Sequence, residues 1–140
     1  MSRYTALIDG KTGAYGVVFP DLPGCTAMGK TIDAAIANAA EALRDWAEVM
    51  AEVGKAVPAP RALEELRADP EVAEALAGGA SLTSVPLIRA TGKPVKANVS
   101  VDAGILAAID AEAARRKLTR SAFIELMARH ALPELAGGSF

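Results

Sequence analysis

The chain has 140 residues and a net charge of −2, from 15 basic and 17 acidic side chains, which suits one domain or two very small ones. Hydrophobic residues make up 51% but aromatic residues only 4%, so alanine supplies much of the apolar content and each unit is expected to gain stability by oligomerising. The single cysteine, Cys25, excludes an internal disulfide and gives no zinc framework, and no segment approaches the roughly 18 consecutive apolar residues of a membrane span. Met1-Ser2-Arg3-Tyr4 lacks the apolar stretch of a signal peptide, so a cytoplasmic protein without membrane contact is expected.

Tyr4 to Ile8 is apolar and β-prone, Asp9-Gly10-Lys11-Thr12-Gly13 is rich in turn residues, and Tyr15 to Phe19 reads as a second strand. The pair suggests a hairpin with a loop of about five residues. Pro20-Asp21-Leu22-Pro23-Gly24 must be a loop, because two prolines and a glycine do not fit a central strand. Cys25 to Met28 makes a short third strand, closed by Gly29-Lys30. Thr31 then caps a long helix in which Ile32, Ile36, Ala39, Leu43, Trp46, Met50 and Val53 step by four and three, and Gly54 ends it. The natural solution is a three-stranded sheet with the helix lying across it.

Tyr15-Gly16-Val17-Val18-Phe19-Pro20-Asp21-Leu22-Pro23-Gly24-Cys25, followed by Gly29-Lys30-Thr31 and a helix with Ala35, Asn38, Ala39 and Ala42, resembles the N-terminal domain of HicB antitoxins over roughly residues 3–55. The resemblance implies an α+β protein whose N-terminal domain is partial RNase H-like, an antiparallel sheet packed by a long helix. It also implies a partner, the HicA-type toxin, a small mRNA interferase that such domains bind and block. The Pro20–Gly24 loop has two readings: it presents Asp21 and Leu22 to the toxin or a second subunit, or it is a fixed connection that aims the third strand. Cys25 reads as a small buried hydrophobe, and Trp46 as core or an interface anchor.

Beyond the long helix, Pro58-Ala59-Pro60 is a stiff break, and Pro60 could open a short helix through Arg67. Asp69-Pro70-Glu71 supplies an N-cap, a first-turn proline and a favourable charge for a helix to about Ala77, which Gly78-Gly79 stops. Leu82 to Ile88 reads as a strand returning to the sheet, at an edge or with a bulge because of Pro86. In the simple form of the family fold this strand follows the long helix closely. Residues 56–81 therefore look like a helical insertion that could pack on the body, contact the toxin or form an oligomer contact. Arg89 to Lys93 reads as a hinge, giving a toxin-binding domain over residues 1–90 and a second domain over 91–140.

In the second domain Pro94-Val95-Lys96-Ala97-Asn98-Val99-Ser100-Val101 alternates, with Val95, Ala97, Val99 and Val101 on one face and Lys96, Asn98 and Ser100 on the other. A lone strand here implies a partner strand from a second copy, and a two-stranded ribbon fits the DNA major groove. Val101, Ile105, Ile109 and Ala113, with Leu106, form an apolar stripe on the next helix, which Asp102 opens and Arg115-Arg116-Lys117 closes. Thr119 is the expected N-cap of the last helix; Phe123, Ile124, Met127, Ala128 and Ala131 form its buried side, and Pro133 ends it. His130 reads as a helix-end or interface residue.

Lys96 to Val101 and Leu118-Thr119-Arg120-Ser121-Ala122-Phe123-Ile124 resemble the ribbon-helix-helix family of DNA-binding proteins. The resemblance implies base contacts from Lys96, Asn98 and Ser100, and phosphate contacts near Thr119, Arg120 and Ser121. The family often has glycine between the helices where this chain has Lys117; in a left-handed conformation lysine would cost roughly 1–2 kcal/mol relative to glycine. Charge distribution fits: residues 1–92 hold 8 basic and 12 acidic side chains, and residues 93–140 hold 7 and 5.

A catalytic reading finds little support. Metal-dependent cleavage needs converging carboxylates, and beyond Asp9 and Asp21, which follow the first two strands, no acidic residue lies on a sheet strand. One late histidine builds no catalytic triad, so no enzyme, metal or cofactor is expected. The expectation is an antitoxin that binds a HicA-type toxin and represses its own operon on double-stranded operator DNA. It would be a homodimer through the C-terminal strand, which contacts between bodies could raise to a tetramer. The alternative is a free-standing ribbon-helix-helix regulator whose N-terminal domain has another partner or ligand.

Overall fold

The computed structural model describes residues 2–90 and 92–135. The described residues divide into a first unit, the body, made of residues 2–89 with 132–135, and a second, C-terminal unit within residues 90–131. In the body, β1 (Arg3–Lys11) and β2 (Ala14–Val18) pair antiparallel from Leu7↔Val18 to Lys11↔Ala14. The turn is therefore Thr12–Gly13, not the longer loop expected. Gly10 makes the difference: its φ is +116°, and a Cβ there would lie 2.2 Å from the Ala14 carbonyl oxygen. A residue that reads as turn is thus a strand position that only glycine fills.

β3 (Thr26–Gly29) joins β2, and β4 (Ser81–Pro86) joins β1, giving a four-stranded antiparallel sheet in the order β3-β2-β1-β4. β4 is an edge strand, as Pro86 requires, since an outer N–H can be lost without breaking the ladder.

α1 (Ile32–Glu52) covers one face of the sheet. The Thr31 hydroxyl accepts a bond from the Ala34 N–H at 3.1 Å, so the expected cap is present. At the other end Gly54 is left-handed, and the Lys55 N–H reaches the Met50 carbonyl at 2.8 Å, as in a Schellman motif. The buried line on α1 is Ala35, Ala39, Leu43 and Ala47, whereas Ile32 and Val53 of the expected stripe are 48% and 59% exposed. Closeness explains the shift. A Cβ on Gly29 would sit 2.4 Å from the Ala35 nitrogen, so small side chains occupy the contact line and larger ones are displaced to its flanks. Tyr4, Ala6, Val17, Phe19, Leu22, Cys25 and Val85 complete this core.

Residues 56–81 pack on the body. They form α2 (Leu63–Ala68) and α3 (Pro70–Ala77), the latter capped by Asp69, which accepts from the Glu71 N–H at 2.9 Å. Val72, Ala75 and Leu76 of α3 cluster with Leu7, Leu82 and Ala80. Leu7 alternates with Ala6 and Ile8 of the α1 side, so α3 covers the opposite face of the sheet at β1 and β4.

The C-terminal unit contains α4 (Ala103–Arg115) and the start of α5 (Arg120–Leu135). Asp102 caps α4 by accepting from the Gly104 and Ile105 N–H groups at 2.9 and 3.1 Å, and the Thr119 hydroxyl caps α5 through Ala122 at 3.1 Å. Pro133 lies within the last turn of α5 instead of terminating it. Near a helix end a proline sacrifices one backbone bond without breaking the rest. Residues 94–102 pair with no strand among the described residues. No described helix is long and apolar enough to cross a membrane.

Candidate functional site

The Pro20–Gly24 loop is built inward. Its backbone closes on itself through Leu22 N–H to the Phe19 carbonyl at 3.1 Å and Cys25 N–H to the Leu22 carbonyl at 3.0 Å. Leu22 is fully buried. The Asp21 side chain is 3% exposed, and its two oxygens accept from the Arg61 backbone N–H at 3.0 Å and from Arg61 Nε at 2.5 Å. The same guanidinium donates to Asp69 at 3.1 Å, and that contact, with the Glu71 amide, holds the Asp69 carboxyl below its usual range. Of the two readings of this loop the geometry favours the fixed connection: Leu22 is core and Asp21 is occupied by Arg61. Nothing local in the sequence signals this, because Arg61 lies 40 residues away.

A second tie runs from Tyr4, whose hydroxyl donates to the Pro58 carbonyl at 2.6 Å. Burial pushes the Cys25 thiol up to about 11, so it behaves as a small hydrophobe. An open groove of about 840 Å³ beside these residues is lined by Tyr4, Lys55, Val57, Pro60, Ile88 and Arg89 among others, with no His, Cys, Asp or Glu. No cluster of three such residues able to hold a metal ion occurs among the described residues.

In the C-terminal unit Lys96, Asn98 and Ser100 are exposed on the unpaired segment, and Thr119, Arg120 and Ser121 are exposed at the start of α5. The Thr119 hydroxyl is engaged as the helix cap. Arg120 forms two 2.8 Å bonds to Asp110 of α4, which lowers the Asp110 pKa. Any phosphate that meets Arg120 must compete with that carboxylate. Glu112 holds both Arg115 and Arg116, the latter at 2.8 Å, and these cations bring its pKa down to about 2. Arg116 also lies over the Phe123 ring, 5.8 Å from its centroid.

Between the helices Lys117 is left-handed at φ +57°, with the Leu118 N–H on the Ala113 carbonyl at 2.8 Å and its own N–H on the Ala114 carbonyl at 3.0 Å. This is the turn built at Gly54, made here with a side chain that strains it.

The apolar side of this unit is open. Among residues 92–131 only Ala113 and Phe123 are buried, while Val95, Val99 and Ile105 are 88%, 74% and 57% exposed. Phe123, Leu126 and Met127 line a shallow groove of about 390 Å³, with Arg116 and His130 at its sides.

Residues 4–128 match the family described as HicB-like antitoxin of bacterial toxin-antitoxin systems. A 14.9 kDa protein from the rep-hol intergenic region of Haemophilus phage HP1 is 32% identical over 107 residues, 76% of this chain and 78% of the phage protein. Among solved structures, the Burkholderia pseudomallei antitoxin HicB is 37% identical with a TM-score of 0.53, over 94% of this chain and 99% of that one. A chain of the HicA3 and HicB3 toxin-antitoxin complex is 26% identical with a TM-score of 0.51, covering 61% of this chain and 98% of its own. The family match extends over both units, across the capped helices and the inward loop described above; this chain belongs to the HicB-like antitoxin family.

Proposed function

We propose that this chain is an antitoxin that neutralises a HicA-type mRNA interferase by direct binding and represses its own operon by binding operator DNA. The observation that carries the reading is the family match over residues 4–128, which includes both the body and the helix pair. A relative in complex with its toxin supports the partner. The body, partial RNase H-like in this reading, acts by covering the toxin, which needs complementary shape and charge and no catalysis.

The C-terminal unit supports a ribbon-helix-helix. Val95 and Val99 are exposed on a segment without a strand partner, and Ile105 and Ile124 are exposed on the helices behind it. A second copy would pair the segment, cover these side chains and leave Lys96, Asn98 and Ser100 for base edges, with Arg120 and Ser121 beside the phosphates. Two bodies on one ribbon pair make a homodimer, and contacts between bodies would raise it to a tetramer that bridges half-sites. A free-standing regulator is the alternative, favoured by the inward-facing Asp21 and Leu22.

Growth of cells expressing a candidate HicA-type toxin, with and without this chain, separates the two. Rescue by this chain, with co-purification of the pair, is expected. Toxicity that persists in its presence would leave the regulator reading.

A further inference from the structure

We infer that Lys117, in the turn between α4 and α5, is a further phosphate contact of the DNA-binding unit, held there on a strained backbone. This rests on the ribbon-helix-helix reading of the C-terminal unit and adds a residue at a position where that family often has glycine.

Three helices of the chain end in the same turn. The Lys55, Ala80 and Leu118 N–H groups reach back to the Met50, Ala75 and Ala113 carbonyls at 2.8, 3.0 and 2.8 Å. The residue before each donor is left-handed: Gly54 at φ +72°, Gly79 at +108° and Lys117 at +57°. Glycine takes that conformation freely and lysine does not. Lys117 is the one non-glycine residue of positive φ among the described residues.

Closing the helix does not call for a lysine, since α1 and α3 close with glycine. The helix dipole does not call for it either. Positive charge near a helix C-terminus is favourable, yet Arg115 already stands in the last turn of α4, whereas α1 and α3 have no basic residue there and still use glycine. Strain of this kind persists where a function uses it.

The surroundings of the side chain point to that function. Of the four cations between residues 115 and 120, three are taken: Glu112 holds Arg115 and Arg116, and Asp110 holds Arg120. Lys117 is exposed, and among the described residues no hydrogen bond or ion pair engages it. It is therefore the cation of this turn that can meet an anion without first leaving a carboxylate. It lies two residues before Thr119, the cap of α5, and so at the helix end that carries the proposed contacts Arg120 and Ser121. A lysine is a point charge suited to a phosphate, and a phosphate contact carries no sequence information.

The test titrates the full-length chain with duplex DNA of unrelated sequence over a range of salt concentrations. Lys117→Gly should melt no lower than the wild type, yet bind roughly threefold to tenfold more weakly at low salt. Its salt slope should fall by about one per protomer. Lys117→Asn, neutral and tolerant of the left-handed backbone, should lose the same slope and carries the test if Lys117→Gly fails to fold. Lys117→Arg should keep it. A purely structural lysine would move the melting temperature and leave the slope alone. Unchanged slopes in Lys117→Gly and Lys117→Asn, with Arg120→Ala still lowering the slope, would overturn the Lys117 contact and leave the DNA-binding reading intact. A lowered slope that accompanies loss of self-association would assign Lys117 to the contact between copies and equally overturn it. A wild type that binds no duplex would remove the DNA-binding reading and this contact together.

Discussion

The body and the C-terminal unit are both small, alanine-rich and well capped, yet only one of them closes its own core. In the body Leu22, Leu43, Leu66, Val17, Val72 and Val85 are fully buried, with one cluster on the α1 side of the sheet and a smaller one on the other side at β1 and β4. In the unit beginning at Ala90, valines and isoleucines of the same kind stand in solvent around Ala113 and Phe123. Capping and propensity set the helices in both cases; burial does not follow from them. A segment with good helices and an open apolar face has the composition of half a core, and the missing half is proposed to be a second copy.

Truncation of a core side chain should separate the two regions most widely. Leu43→Ala in the body should cost roughly 2–5 kcal/mol in the unfolding of that region by denaturant, because the cavity sits between a close-packed helix and sheet. Ile105→Ala should cost far less in any state where the face is uncovered, and approach the Leu43 value only at concentrations where the chain self-associates. Equal, concentration-independent losses at both sites would break the comparison.

Under the proposed function, replacing Lys96 or Asn98 with Ala should each reduce discrimination between operator and unrelated DNA by about 1–3 kcal/mol, measured by competition at fixed salt. Arg120→Ala should weaken all sequences alike and lower the salt slope by about one. Because Asp110 holds the Arg120 guanidinium, Asp110→Asn should instead strengthen non-specific binding. A loss confined to the operator in Arg120→Ala would contradict the phosphate role.

Lys117→Gly should stabilise the C-terminal unit by about 1 kcal/mol, since the left-handed backbone is kept and the Cβ strain removed. The same turn closes α1 and α3 with Gly54 and Gly79, both of positive φ, so the chain supplies its own comparison. A destabilised variant would mean that the lysine side chain has a partner worth more than the strain.

The smallest effect is expected in acid. Glu112 has a usual value of 4.5 and is held at about 2 by Arg115 and Arg116, and Asp110 is lowered by Arg120. Folded values below unfolded ones mean that these contacts stabilise above the unfolded pKa and lose that contribution as pH falls toward the folded one. Both pairs are exposed and screened, so a slight downward drift of melting temperature below about pH 4.5 is expected, weaker still at high salt. Glu112→Gln should flatten that drift.

What was legible in the sequence was local. Thr31, Asp69, Asp102 and Thr119 all cap the helices they were expected to cap, because a side chain and the amide two or three residues on are enough to define the bond. Pro86 at an edge follows equally from backbone chemistry, whereas the left-handed Lys117 runs against it. Where distance entered, the reading failed. The stripe expected on α1 holds at Ala39, Leu43 and Trp46 but fails at its ends, Ile32 and Val53, because the nearness of Gly29 to Ala35 is a property of the packed pair. Asp21 looked available because Arg61 lies outside any local window. Gly10 looked like turn because its fit against Ala14 exists only once the hairpin has formed.

Sedimentation equilibrium on the full-length chain and on Val99→Asp tests the central claim most directly, because Val99 is 74% exposed in the single chain and would be covered only by a second copy. The wild type should sediment as a dimer or tetramer at micromolar concentration. Val99→Asp should lose the association made through the C-terminal segment while its body still melts cooperatively. A monomeric wild type, or a variant that associates as well as the wild type, would contradict the completion of the C-terminal unit by a second copy.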